Sequence, residues 1–484
     1  LLAKDRNEDY PFIVGGGPCA YNPEPIADFF DFFVIGEGEE ILLKVLKTYE
    51  AHKDGHWDRN NFLKEIASFY GIYVPAFYEV DYNENGTINK MYPIVEGIPT
   101  VINKAMIEDV NTMFAPETMI VPFIETIHDR VILEMFRGCT HGCRFCQAGM
   151  IYRPIREKST ERLVDLAEKL IASTGYDTIS LSSLSSCDYS SLNILISDLM
   201  DRFEGDNIGI SLPSLRLDSF SIDILKEIEK VKKSGLTFAP EAGSQRLRDV
   251  INKGVNQEDL IQAVTYAFNE GWSRVKLYFM IGLPTETEED LMGIKDMSYL
   301  VRDIYFNRPN ESKKGSFGVT VSTGCFVPKP FTPFQWVSQN SIEEFNHKIS
   351  LVKTSIRDRK VNFNYSDVNL SYLEGIFARG DRRLSNVLIK AWEKGCKYDG
   401  WSDQFRFDLW MEALEESNID GDFYSRRARE LDEVLPWDFI NPGVSKEFLK
   451  KEYLKSLKET TTMDCRLACG NCGIVDCSMR GVFN

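Results

Sequence analysis

A parallel α/β sheet is predicted for the centre of the chain by three observations. From about residue 128 to 366, short apolar runs alternate with helical segments roughly every 30 residues, the spacing of βα units. The helical segments carry start and stop signals: in STERLVDLAEKLIASTG, Ser159 or Thr160 can cap and Gly175 follows the end, and SIDILKEIEKVKKSG likewise stops before Gly235. At 484 residues the chain has the length of about three domains, so this core has room for neighbours on both sides. Right-handed crossovers connect such strands, but periodicity alone does not choose between an open sheet and a closed barrel.

The chain begins without Met, at LLAKDRNEDYPFIVGGG, and reads as a fragment whose true N-terminus lies upstream. PFIVGGGPCAYNPEP is an apolar run ending in three glycines. FDFFVIGEGEEILLKVLKTYE reads as a second buried strand, a GEGE turn and a helix. Residues 1–48 therefore look like the closing part of an α/β domain. Residues 49–125 are a connector, in which YVPAFYEVDYNENGTINKMYPIV predicts a hairpin around NENG. The core is expected over 126–350. Its strands are VILEMF (131–136), TISLSS (178–183), IGISLP (208–213), LTFAPE (236–241), VKLYFMIG (275–282) and FGVTVS (317–322). Pro284 ends the fifth strand, and Thr285 can cap the next helix. Residues 351–462 read as mainly helical and rich in Trp and Arg, and 463–484 as a cysteine-dense tail.

The formal net charge of −17 makes the chain a poor general binder of nucleic acid, because phosphate neutralisation needs Lys and Arg. No apolar run reaches membrane length and no signal-peptide pattern is present. Seven of the eleven cysteines fall in two clusters, Cys139–Cys146 and Cys465–Cys477. Clusters of this kind in a non-secreted chain argue for metal in a reducing compartment, the cytoplasm. With five histidines in the whole chain, thiolates must carry most of any metal binding, which favours iron–sulfur or zinc.

The stretch RGCTHGCRFCQAG places Cys139, Cys143 and Cys146 directly after the first core strand. Structural metal sites close with four ligands, whereas catalytic ones keep a position open. Three thiolates fit the second description, with a zinc knuckle borrowing His141 as the plainer alternative. Cys-x3-Cys-x-Phe-Cys at the end of a first strand resembles the signature of the radical S-adenosylmethionine (SAM) enzymes. The resemblance implies a partial (β/α)6 TIM-type barrel and a [4Fe–4S] cluster held by Cys139, Cys143 and Cys146. Its fourth iron would be chelated by SAM, and reductive cleavage of SAM would start radical chemistry on an unactivated C–H bond.

The same resemblance implies further SAM-binding residues: Phe145 near the adenine, and the Ser-rich stretch LSSLSSCDY (Ser182, Ser183, Ser185, with Ser186) at the amino group. That stretch departs from the family's commoner Gly-Gly-Glu form. A Ser-rich turn before a helix explains it without a ligand. Arg216 in SLPSLRLD would pair with the SAM carboxylate. Glu241 in FAPEAGSQRL would accept from the ribose hydroxyls, with Ser244 assisting. Ile281, Gly282 and Leu283 would let backbone approach the adenine. FVPKPFTPFQW, after the sixth strand, looks like the proline-rich substrate loop of methylthiotransferases and cobalamin-type members.

The N-terminal segment resembles the last third of a Rossmann-like cobalamin-binding domain, which makes Gly15, Gly16 and Gly17 cobalamin-binding candidates. The lower-ligand motif Asp-x-His-x-x-Gly does not occur in the sequence. In the tail, CRLACGNCGIVDC sets Cys465, Cys469, Cys472 and Cys477 at x3, x2 and x4 spacing, suited to zinc or a second Fe–S cluster. The resemblance implies an electron donor of flavodoxin or ferredoxin type. Methyl transfer through cobalamin is one expected reaction. The alternatives are a methylthiotransferase of tRNA or ribosomal protein, and a non-catalytic Fe–S or zinc scaffold that presents the Arg- and Trp-rich segment 379–429 to a partner.

Overall fold

The structure is a computed structural model and describes residues 1–54, 57–124, 126–212, 236–309, 316–475 and 477. In chain order its strands are β1 (Val14–Gly15), β2 (Phe32–Val34), β3 (Ile72–Tyr73), β4 (Tyr78–Tyr82), β5 (Ile88–Pro93), β6 (Ile102–Asn103), β7 (Val131–Glu134), β8 (Phe136–Arg137), β9 (Arg156–Glu157), β10 (Thr178–Ser182), β11 (Gly209–Ser211), β12 (Leu236–Glu241), β13 (Arg274–Ile281), β14 (Gly318–Cys325), β15 (Val361–Tyr365) and β16 (Ile440–Asn441).

The core strands pair in parallel, as the βα alternation requires. They form two ladders, β11–β10–β7 and β12–β13–β14–β15. All six expected core strands are present, and β15 adds a seventh that the sequence reading left out. Among the described residues no ladder joins β11 to β12. The expected helix ending before Gly235 and the candidate Arg216 both lie outside the described residues. Helix Thr160–Thr174 begins and ends where its signals predicted. Ser159 accepts from the Arg162 N–H at 3.3 Å, and Gly175 closes the helix at φ 69°.

Alternation along β13 buries Val275, Leu277, Phe279 and Ile281 against the helices. Lys276, Tyr278 and Met280 turn to the opposite face. The register carries that face across β14 and β15, with Lys276 beside Thr320 and Asn362, and Tyr278 beside Ser322 and Asn364. The inner face of this ladder is therefore polar.

In the N-terminal segment β1 and β2 pair in parallel, as expected, but the sheet takes its third strand, antiparallel, from β3. The predicted hairpin is β4–β5, with Gly86 at φ 82° in its turn. The connector does not stand apart. β6 pairs with β16, and Ala105 bridges to Gly36. One core runs from β2 and β3 through Trp336 to Trp437, Phe448 and Leu449, so the two ends of the chain share it.

Packing corrects one expectation and bears on two others. Thr287, not Thr285, caps helix Glu288–Phe306, because Asp290 at its third position completes a capping box; Thr285 instead adopts φ 63°. The proline-rich loop is a piece of core: Phe326, Phe334 and Trp336 are buried, as apolar rings between fixed prolines would be. The arginines of 379–429 are largely used internally. Arg379 donates to the Ser425 carbonyl and Arg429 to the Arg379 carbonyl, both guanidinium groups being buried.

Candidate active site

The three-thiol loop is closed at its base by β8 and β9, which pair Arg137 with Arg156 in an antiparallel bridge. Gly138 permits the closure: at φ 89°, a Cβ there would meet the Pro154 carbonyl oxygen at 2.7 Å. Inside the loop the Gly149 N–H donates to the Cys146 sulfur at 3.4 Å. Arg144 is fully buried and anchors the loop from below, pairing with Glu452 at 3.1 Å and donating to the Asp249 and Val250 carbonyls. Burial, reinforced by the neighbouring Cys143, pushes the Cys146 thiol pKa up. Among the described residues no cysteine is in a disulfide.

His141 is not available as a fourth ligand. Its Nε2 lies 2.7 Å from the Asp188 carboxylate and its Nδ1 3.1 Å from that of Asp464. The donor set of the loop is thus three thiols, which fits a cluster with one iron left for a small ligand. Among the described residues no three Cys, His, Asp or Glu side chains converge as a ready-made ion site.

Glu241 ends β12 at φ 68°, a conformation its Cβ disfavours, and is paired with Lys253 at 3.2 Å. Both groups lie within electrostatic reach of Cys146. Phe145 packs against the apolar cluster that contains Leu283. Ser182 and Ser183 line a cavity of about 670 Å³ together with Gly138 of the loop. On its far wall stand Gly17, Gly36 and Gly38 of the N-terminal segment.

Other candidates have structural duties. Ser185 is buried and donates to the Asp188 carboxylate; Ser186 donates to the Leu181 carbonyl at 3.1 Å. Ser244 caps helix Gln245–Val250 and donates to Asp290. Ile281 is buried in the ladder core, and the Gly282 N–H is taken by Glu286 at 2.9 Å. Of the three glycines, Gly15 answers a packing need, since a Cβ there would strike the Phe33 ring at 2.4 Å. Gly16 has the Val34 carbonyl 3.6 Å from its Cβ position; Gly17 has nothing within 4 Å.

Sequence reasoning missed the charges that hold the N-terminal segment over this mouth. Arg137 pairs with Glu39 at 2.5 Å, with Glu134 at 3.0 Å and with Glu37 at 3.5 Å, and Arg156 with Glu37 at 2.6 Å. The signal was present as acidic residues in the GEGEE turn and an arginine two residues before Cys139.

A parallel βα core with an open three-thiol loop at the end of its first strand defines a class of enzyme built to bind a small ligand on an iron–sulfur cluster. The family models agree. Residues 133–297 match the radical SAM superfamily model and residues 1–75 the model for the N-terminal region of radical SAM proteins. The chain belongs to the radical SAM superfamily. An uncharacterised protein of Methanocaldococcus jannaschii is 30% identical over 396 residues, covering 80% of this chain and 76% of that one. A candidate methylthiotransferase of the same archaeon is 28% identical over 174 residues, covering 34% and 38%. Among solved structures, the cobalamin- and [4Fe–4S]-bound radical SAM methyltransferase TsrM of Kitasatospora setae aligns at TM-score 0.49 and 12% identity, covering 84% of this chain and 82% of that one. Among the described residues no helix is long and apolar enough to cross a membrane.

Proposed function

We propose that this radical SAM enzyme cleaves SAM and begins radical chemistry at an unactivated C–H bond of a substrate held in the cavity between the N-terminal segment and the strand ends. The observation that carries the reading is the three-thiol loop whose own histidine is fully engaged by Asp188 and Asp464. When bound, a [4Fe–4S] cluster on Cys139, Cys143 and Cys146 supplies the electron that splits SAM into methionine and a 5′-deoxyadenosyl radical. The residues around it bind and orient. Glu241, at the end of β12, would accept from ribose hydroxyls. Phe145 and Leu283 offer the adenine an apolar wall. Ser182 and Ser183 offer hydroxyls from the rim of the cavity. The polar inner face of β13–β15 favours a polar substrate over a lipid-like one. The reductant is of flavodoxin or ferredoxin type, and the reducing compartment is the cytoplasm.

Methyl transfer through cobalamin is the finer reading. It is favoured by the cavity at the junction of the two segments, with Gly17 of the glycine trio on its wall. Gly15 does not support it, its open side being filled by Phe33.

Anaerobic reconstitution followed by SAM and a strong reductant tests the main reading. Appearance of 5′-deoxyadenosine by mass spectrometry is expected. Its absence from protein carrying an intact cluster contradicts the proposal. Corrinoid absorption in protein purified from cobalamin-fed cells is the expected result for the finer reading, and colourless apoprotein after cluster removal counts against it.

A further inference from the structure

We infer that the C-terminal tail carries a second, tetrathiolate metal centre, on Cys465, Cys469, Cys472 and Cys477, seated directly against the loop that holds Cys139, Cys143 and Cys146. This does not rest on the radical reading. It rests on how the tail is held and on what its thiols face.

From residue 452 onward the tail is stitched to the loop. The Arg144 guanidinium donates to the Thr460 carbonyl at 2.6 Å. Asn252 donates to both the Gly142 and Thr462 carbonyls at 3.1 Å and accepts from the Thr462 N–H at 2.7 Å. Thr140 donates to Asp464 at 2.7 Å, and the Cys465 N–H donates to the Thr140 carbonyl at 3.1 Å. Arg466 then pairs with Asp188 at 3.2 Å, on the far side of His141. A stretch without helix or strand gains such a fixed course only from these side-chain and backbone bonds.

Two of the tail thiols, Cys465 and Cys472, neighbour one buried arginine at the end of that course. Cys465 lies within electrostatic reach of Cys472 and Cys477. Arg153 is buried, donates to the Gly149 and His141 carbonyls, and has Cys465, Cys472 and Cys139 as electrostatic neighbours.

The CGNCG turn is fixed as well. Asn471 has φ 53° and Gly473 φ 104°, and the Cys472 carbonyl accepts from the Ser445 N–H at 2.8 Å. A Cβ on Gly473 would approach Ser445 to 2.9 Å, so this turn is seated on the start of helix Lys446–Ser456. Among the described residues neither the tail thiols nor the loop thiols converge on one point. A thiophilic ion, zinc or an iron–sulfur cluster, would draw Cys469 and Cys477 to the pair that neighbours Arg153.

The test uses the full chain with Cys139→Ala, Cys143→Ala and Cys146→Ala combined, purified without oxygen. About one zinc or about four iron atoms per chain should remain. X-ray absorption should show sulfur-only ligation for zinc, and Mössbauer spectroscopy a cluster for iron; either supports the inference. The metal should be lost when Cys469→Ser and Cys472→Ser are added. In the converse variant, Cys469→Ser with Cys472→Ser in an otherwise native chain, the loop cluster and its response to SAM should persist. Less than a tenth of an equivalent of either metal in the folded triple variant, its circular dichroism unchanged, overturns the inference. Should the triple variant fail to fold, sulfur-ligated zinc, or iron in excess of one cluster, is sought in the native chain instead, and its absence there overturns the inference equally.

Discussion

At the residue scale, the site is a set of ionisable groups whose partners decide their state. Burial works to raise the Asp188 pKa, but the His141 ring, the Ser185 hydroxyl and Arg466 outweigh it and hold the carboxyl at about 2. A carboxylate depressed in the folded chain contributes stability above its unfolded value of about 3.9 and loses that contribution as the pH falls toward 2. Asp188→Asn should therefore cost up to about 2 kcal/mol at neutral pH. The gap from the native chain, read by urea unfolding, should hold above about pH 5 and narrow below about pH 4. A gap that does not change with pH would show that His141 is not held this way. Cys143→Ala should abolish SAM cleavage and leave the far-ultraviolet circular dichroism unchanged, because the loop is held by Arg144, Arg153 and the β8–β9 bridge rather than by its thiols; global unfolding would make the site structural. The cysteine trio was legible because spacing alone expresses it. The role of His141 was not, since Asp188 and Asp464 reach it from distant parts of the chain.

At the element scale, what could be read locally was read correctly where local chemistry decides. The Ser159 cap, the Gly175 stop and the NENG hairpin depend on neighbours in sequence. Thr285 and Thr287 look alike as caps until the side chain three residues on is counted, and Asp290 selects Thr287. Gly282 looked like a place for ligand approach, but its φ of 87° and the Phe345 ring, 2.4 Å from where a Cβ would stand, give it a packing cause. Gly282→Ala should lower stability by about 1–3 kcal/mol through overpacking and backbone strain. Thermal unfolding would read this, and an unchanged midpoint would free the position for a ligand role. The same limit applies to the Ser-rich turn after β10. Composition could not separate Ser182, which lines the cavity, from Ser185 and Ser186, which brace the turn, or from Ser183, which does both.

At the scale of the whole molecule, the ends of the chain are bound together by contacts that no local pattern announces. Arg382 donates to both oxygens of Glu24, at 3.1 and 3.2 Å, and to the Tyr73 hydroxyl at 2.7 Å, tying the helical region to the N-terminal sheet. Glu24 is buried, so Arg382→Ala would remove its countercharge, leaving it the hydrogen bond from the Tyr73 hydroxyl, and should cost about 3–5 kcal/mol. Double substitution with Glu24→Gln should restore part of that loss in chemical denaturation; no recovery would mean that the pair does not act as one unit. The βα alternation made the core legible, whereas the shared terminal core and the tail over the loop depend on long-range pairing.

The central claim is an iron–sulfur cluster with one iron open to SAM, and electron paramagnetic resonance of the reduced, anaerobically reconstituted chain with and without SAM tests it most directly. The account predicts a [4Fe–4S]+ signal, dependent on Cys139, Cys143 and Cys146, whose g-values move when SAM is added. A cluster signal indifferent to SAM, or zinc in place of iron on those three thiols, would contradict it.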